Sequence, residues 1–225
     1  MNALRIIDQN NDYVIVNKPV GMTVQRDDGH PGVLAETAEL LGLEILYPVH
    51  RLDRVTSGLL LMAKTTAANR QLSMAFAEHQ VQKYYLALSD RKPKKKQGWV
   101  KGDMEKARRG AWRLLNSHKN PAVTQFFSHS LAPGCRAFLL RPRTGKTHQL
   151  RVALKSLGAP ILGDTLYSGS AADRTYLHAY GLEFIWRGEH RVYRCCPQHG
   201  EAFAQPALLQ QLDTNWAVPS ELPWP

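Results

Sequence analysis

The sequence predicts an α+β fold, a largely antiparallel mixed sheet with flanking helices, and three observations lead there. Short runs rich in β-branched and aromatic residues are separated by single stretches of helical periodicity. One run, "SGLLLMA" at 57–63, is apolar throughout, as a strand buried on both faces must be. Turn-forming clusters such as "QNND" and "LAPG" join neighbouring strands over hairpin distances.

Taken in order, "LRIIDQNNDYVIVNKP" reads as two short strands around "QNND", closed by Pro19. "GVLAETAELLGL" carries leucine and alanine at helical spacing before a glycine stop, which gives a helix of about ten residues. "HRLDRVTSGLLLMAK", residues 50–64, then sets Asp53 in a loop entering the apolar central strand. From Thr65, a candidate cap, Ala68, Leu72, Ala75 and Phe76 share one helical face. "VQKYYLAL" returns as a strand, and residues 91–98 read as an exposed loop. "PAVTQFFSHS" and "CRAFLLRP" form a hairpin through "LAPG". In "THQLRVALKSLG", Leu150, Ala153, Leu154 and Leu157 recur at helical intervals, with Thr147 as candidate cap and Gly158 as stop. The proline-rich end is expected to be a loosely attached tail, 216–225, after one domain spanning 1–215.

At 225 residues and 44% hydrophobic content the chain can bury a sizeable core. No apolar run approaches the roughly 18 uncharged residues that cross a bilayer, so no membrane partner is expected. The opening sixteen residues hold acids and amides where an export signal needs its apolar segment, so a cytoplasmic location is expected. Three cysteines, Cys135, Cys195 and Cys196, offer no disulfide framework. Cys196 lies three residues from His199, but a zinc site needs about four ligands and no second pair accompanies them. No metal is expected.

Lys and Arg number 29 against 19 Asp and Glu, a net charge of +10, and this excess points to a polyanion. Residues 91–119 hold eleven of those cations against two acids, interrupted by Trp99 and Trp112. Such a run is either a solvated face or a surface combining phosphate contacts with base stacking. "TGKTH" is not a phosphate-binding loop, because Leu140 stands where that pattern needs glycine, and dinucleotide, metalloprotease and nucleophile-elbow motifs are missing from the sequence. The polar candidates that remain are Asp53, Tyr84 or Tyr85, His148, Arg151 and Asp164. Asp53, between Arg51 and Arg54, is either a carboxylate kept ionised for chemistry or part of a salt-bridged turn. A basic surface with one such carboxylate suggests chemistry on RNA or DNA, and an isolated acid does not suit a metal-dependent nuclease.

"HRLDRVTSGLLLMAK" resembles the signature of the RluA family of pseudouridine synthases. "NKPVGMTV", "VQKYYLAL", "TGKTHQLRVALKSLGAPILGDTLY" and "LHAYGLEF" resemble its other motifs in the expected order over roughly residues 13 to 185. The resemblance implies the pseudouridine synthase fold and a reaction without cofactor on a uridine of structured ribosomal or transfer RNA. It implies Asp53 as nucleophile, Tyr85, two residues after Lys83, packed against the target base, Arg151 paired with the aspartate, and Arg51 helping to hold the RNA. Lys94, Lys95, Lys96, Arg108, Arg109 and His148 are the further expected RNA contacts. Lys146, Ala153, Ala159 and Val55 depart from residues common in the family, which bears on substrate identity. No N-terminal accessory RNA-binding domain is expected, since the first motif begins within about fifteen residues of Met1, and a monomer is expected. The alternative is a non-catalytic RNA-binding protein or RNA chaperone on the same fold.

Overall fold

The computed structural model describes residues 4–27 and 29–225. The first three residues of the stretch read for an export signal lie outside them. In chain order the elements begin with β1 (Arg5–Gln9), β2 (Tyr13–Lys18), α1 (Gly32–Leu40), β3 (Tyr47–Pro48), β4 (Ser57–Ala63) and α2 (Thr66–Ala77). Next come β5 (Gln82–Ser89), β6 (Gln97–Gly102), β7 (Met104–Lys106), β8 (Trp112–Leu114), β9 (Ala122–Ala132) and β10 (Cys135–Pro142). The chain continues with α3 (Gln149–Ser156), β11 (Leu177–Trp186), β12 (Glu189–Arg194) and α4 (Pro206–Asp213). Mostly antiparallel pairing with interspersed helices makes this an α+β fold, as expected. The residues group into two compact units, one of 1–82 with 179–197 and one of 83–178 with 198–225.

In the first unit, β2 runs antiparallel to β4 from Tyr13 opposite Ala63 to Lys18 opposite Gly58. Strand side chains alternate, so Tyr13 and Ile15, Leu59, Leu61 and Ala63, and Leu182, Phe184 and Trp186 of β11 share one core with Ala68 and Leu72 of α2. Leu60 and Met62, of the opposite parity, are buried too, so β4 is covered on both faces as its composition requires. The Thr65 hydroxyl accepts the Ala68 N–H at 3.1 Å and caps α2.

Gly58, near the start of β4, has φ of +109°, and a Cβ there would lie 2.3 Å from the Ala179 carbonyl oxygen. Backbone cannot move aside as a side chain can. We expect Gly58→Ala to cost about 3 kcal/mol through overpacking and a strained φ. For a chain this long that lowers the melting temperature by roughly 6–12 °C, which calorimetry would read directly.

In the second unit, the strands run in the order β5, β10, β9, β6, each pair antiparallel, with β6 at the edge. The basic stretch differs from its expected form. The loop ends at Lys96, and the residues after it form β6 and the β7–β8 hairpin. Glycines at 98 and 102 and a polar, charged sequence hide the strand pattern. Helix α3 also starts differently: Thr147 does not cap it, and the preceding residue, His148, is left-handed with φ of 57°. The Gln149 side-chain oxygen instead fastens the turn before the helix, accepting the Lys146 N–H at 3.0 Å and the Thr144 hydroxyl at 2.7 Å.

The end of the chain, expected to be loose, is packed. The Trp224 ring lies 5.9 Å from Tyr84, in a stacked orientation, and 4.8 Å from Phe127, and the Arg141 guanidinium sits 5.7 Å from it. The Gln125 side chain donates to the Pro225 carbonyl oxygen. Proline content suggests a loose tail, but one half-buried aromatic ring packed on two others is enough to hold a short segment down.

Candidate active site

Asp53 is half-buried in the loop between β3 and β4, with exposed Arg51 and Arg54 beside it and buried Leu52 anchoring it. Both ends of this loop are fastened. The Thr56 N–H donates to the Asp53 carbonyl at 3.0 Å, closing a turn into β4. His50 Nε2 accepts the Leu61 N–H at 3.0 Å, and its ring stacks on Phe76 at 4.5 Å. Arg54 Nε donates to the Gly21 carbonyl at 2.9 Å while its own carbonyl accepts the Gly21 N–H at 2.8 Å. The expected arginine sandwich around Asp53 is therefore at least partly an anchor, with Arg54 holding the Gly21 turn.

Lys18, which sequence reasoning did not single out, completes the fastening. Its side chain is fully buried, and its ammonium donates to the carbonyls of Pro19 at 2.9 Å, Met22 at 2.6 Å and Arg54 at 3.5 Å. A buried cation is tolerated only when its donors are satisfied, and three carbonyls from two loops do this here. A lysine between an apolar strand and a proline was the available signal.

In the second unit, strand alternation separates the two tyrosine candidates. Tyr85 is paired with Leu140 and buried, whereas Tyr84 turns to the face that carries Arg141 and Trp224. Lys83 lies two residues before Tyr85 and so on its side of β5. Its ammonium is 3.8 Å from where a Cβ on Gly145 would sit, beside the "TGKTH" loop. Burial pulls the Lys83 pKa below the ordinary lysine value.

Arg151 is 5% exposed and grips Asp164, itself 2% exposed, in a fork: Nε to one carboxylate oxygen at 2.7 Å and Nη2 to the other at 2.8 Å. The guanidinium also lies over the Tyr167 ring, 4.8 Å from its centre. The Tyr167 hydroxyl accepts the Trp112 N–H at 3.0 Å and is 2.8 Å from His148 Nδ1. Gly163, with φ of +79°, sets up this arrangement, because a Cβ there would meet the Arg174 carbonyl oxygen at 1.8 Å. Three sequence candidates, His148, Arg151 and Asp164, thus converge around a fourth residue that sequence reasoning missed. Its signal was the one-turn spacing of Asp164 and Tyr167 in "GDTLY".

The side chains of Lys94, Lys95 and Lys96 are exposed, while the backbone beneath them is fixed by Lys94 N–H to Leu157 O at 2.9 Å and Ser128 N–H to Lys96 O at 2.8 Å. Arg108 and Arg109 are exposed at the turn of the β7–β8 hairpin, Arg109 with φ of 56°. Among the described residues, no group of three or more His, Cys, Asp or Glu is placed to hold a metal ion.

Comparison with known proteins bears on this geometry. The family model described as RNA pseudouridylate synthase matches residues 12–156. The chain is 45% identical over 218 residues to an uncharacterized RNA pseudouridine synthase of Haemophilus influenzae, covering 96% of this chain and 97% of that one. It is 34% identical over 189 residues to the dual-specificity RNA pseudouridine synthase RluA of Escherichia coli, covering 78% and 84%. Among solved structures, human RNA pseudouridylate synthase domain containing 4 superimposes with a TM-score of 0.72 at 26% identity, over 93% of each chain.

Proposed function

The chain belongs to the RNA pseudouridylate synthase family, and from that premise we propose that it isomerises a uridine of ribosomal or transfer RNA with Asp53 as the nucleophile. The activity is that of an isomerase acting on RNA. In the reaction the bond from C1′ to N1 breaks, the uracil turns while still held, C5 bonds to C1′, and the C5 proton leaves as N1 gains one. A carboxylate serves this chemistry by adding to the sugar or by deprotonating it. The reacting base must leave its stack, and Tyr85, on a strand buried within its unit, is the aromatic surface we assign to it. Arg51, exposed beside Asp53, then holds the RNA with the nucleotide turned out.

The observation that carries this reading is the fastening of the Asp53 loop by Lys18, His50 and Arg54, since a nucleophile must be held in place before the substrate arrives. Mapping pseudouridine in total RNA from cells with and without this protein tests it. We expect one or a few sites in ribosomal or transfer RNA to vanish without the protein. They should return with the wild-type chain and stay absent with Asp53→Asn. A map that does not change would overturn the proposal.

A further inference from the structure

We propose that the outward face of β6 and the loop of residues 117–120 hold a single-stranded segment of the RNA, with a base stacked on Trp99 and phosphates on Lys101 and Lys119. The inference rests on RNA being the substrate. Along β6 the Val100 side chain turns inward and the residues at 100 and 102 are buried, so Trp99 and Lys101 share the outward face, about 7 Å apart on one edge strand. Trp99 is 49% exposed, whereas Trp186 and Trp216 are buried and Trp112 and Trp224 are half-covered. A large ring left in solvent on a rigid strand is a stacking platform for which the fold itself has no use.

The neighbouring loop is held rigid without using the side chain of Lys119. Asp103 accepts the N–H groups of Lys119 at 2.9 Å and Asn120 at 2.8 Å, and its own N–H donates to Ser117 O at 2.8 Å. The His118 ring lies 3.3 Å from the Lys101 carbonyl, and the Lys146 ammonium donates to the Asn120 carbonyl. Lys146, one of the departures from the family pattern, thereby ties this loop to the "TGKTH" segment that leads into α3. Both acids of the basic stretch are already occupied: Asp103 by those N–H groups, Glu105 by Arg113. The cations around Trp99 are left to an outside anion, and a preorganised row of them suits a phosphate backbone. The RNA must be single-stranded at this point, because a base inside a duplex offers no ring face to Trp99.

Binding measured in the Asp53→Asn background separates this from turnover. The probes are an oligouridylate of about twelve nucleotides, within the span of single-strand sites, and a blunt RNA duplex of the same length. Trp99→Ala should weaken oligouridylate binding about tenfold and remove most of the tryptophan quenching that the RNA causes, while duplex binding stays unchanged. Lys101→Gln with Lys119→Gln should lower the salt dependence of oligouridylate binding by about 1.4 units of slope, about 0.7 for each phosphate contact. Wild-type melting temperatures would show that the variants are folded. Unchanged affinity and quenching with Trp99→Ala, or an equal loss on the duplex, would overturn the proposal. A chain that binds oligouridylate through Trp99 yet forms no pseudouridine leaves this surface standing and removes the catalytic reading instead.

Discussion

Asp53→Asn is expected to reduce pseudouridine formation by roughly 10⁴-fold or more, the scale of loss when a nucleophile is deleted. The substitution is close to isosteric, and it keeps the bonds that fasten the loop through Lys18 and Arg54 to carbonyls, through His50 to a backbone N–H, and from Thr56 to the Asp53 backbone. The melting temperature and RNA affinity should therefore stay near those of the wild type. Release of tritium from RNA labelled at uridine C5 measures the step, since that hydrogen leaves only when C5 bonds to the sugar. Turnover by the asparagine variant within tenfold of wild type would remove Asp53 from its role. A chelator should have no comparable effect on the wild-type enzyme.

How far the sequence discloses this molecule depends on the kind of signal each residue leaves. Strands β1, β2, β4, β5, β9 and β10 and helices α1, α2 and α3 follow periods that apolar side chains write plainly. The edge strand β6 and the β7–β8 hairpin write none, because a strand rich in glycine and lysine reads as a loop until its partner strand is known. The Asp53 loop was legible as a site through its unusual neighbours, yet the role of Arg54 was not. Its hydrogen bond to Gly21 joins residues 33 positions apart, which no local spacing reports. Tyr167 was hidden for the same reason. Its hydroxyl meets Trp112, 55 positions away, through a backbone N–H that any residue there would supply. Trp99 and Trp112 looked alike in the sequence, and burial separates them into a solvent-facing ring and a half-covered one.

Asp164→Ala is expected to destabilise the chain by about 3–5 kcal/mol, because it takes the carboxylate away from the two-bond fork of a buried guanidinium. At this chain length that is a fall of roughly 6–20 °C in melting temperature. Activity should fall with it even at temperatures where the variant is fully folded, since Arg151 would lose the fork that, together with the Tyr167 ring, fixes its plane. Arg151→Lys should recover only part of either quantity, as an ammonium cannot reproduce two parallel N–H bonds or lie flat on the ring. The decisive variant removes both charges. Arg151→Met with Asp164→Leu replaces the pair by apolar groups, and such replacements of buried pairs are often neutral or stabilising. If the pair serves catalysis, this double variant should melt within a few degrees of the wild type and still form no pseudouridine. Recovery of turnover along with stability would mean that the pair is structural alone.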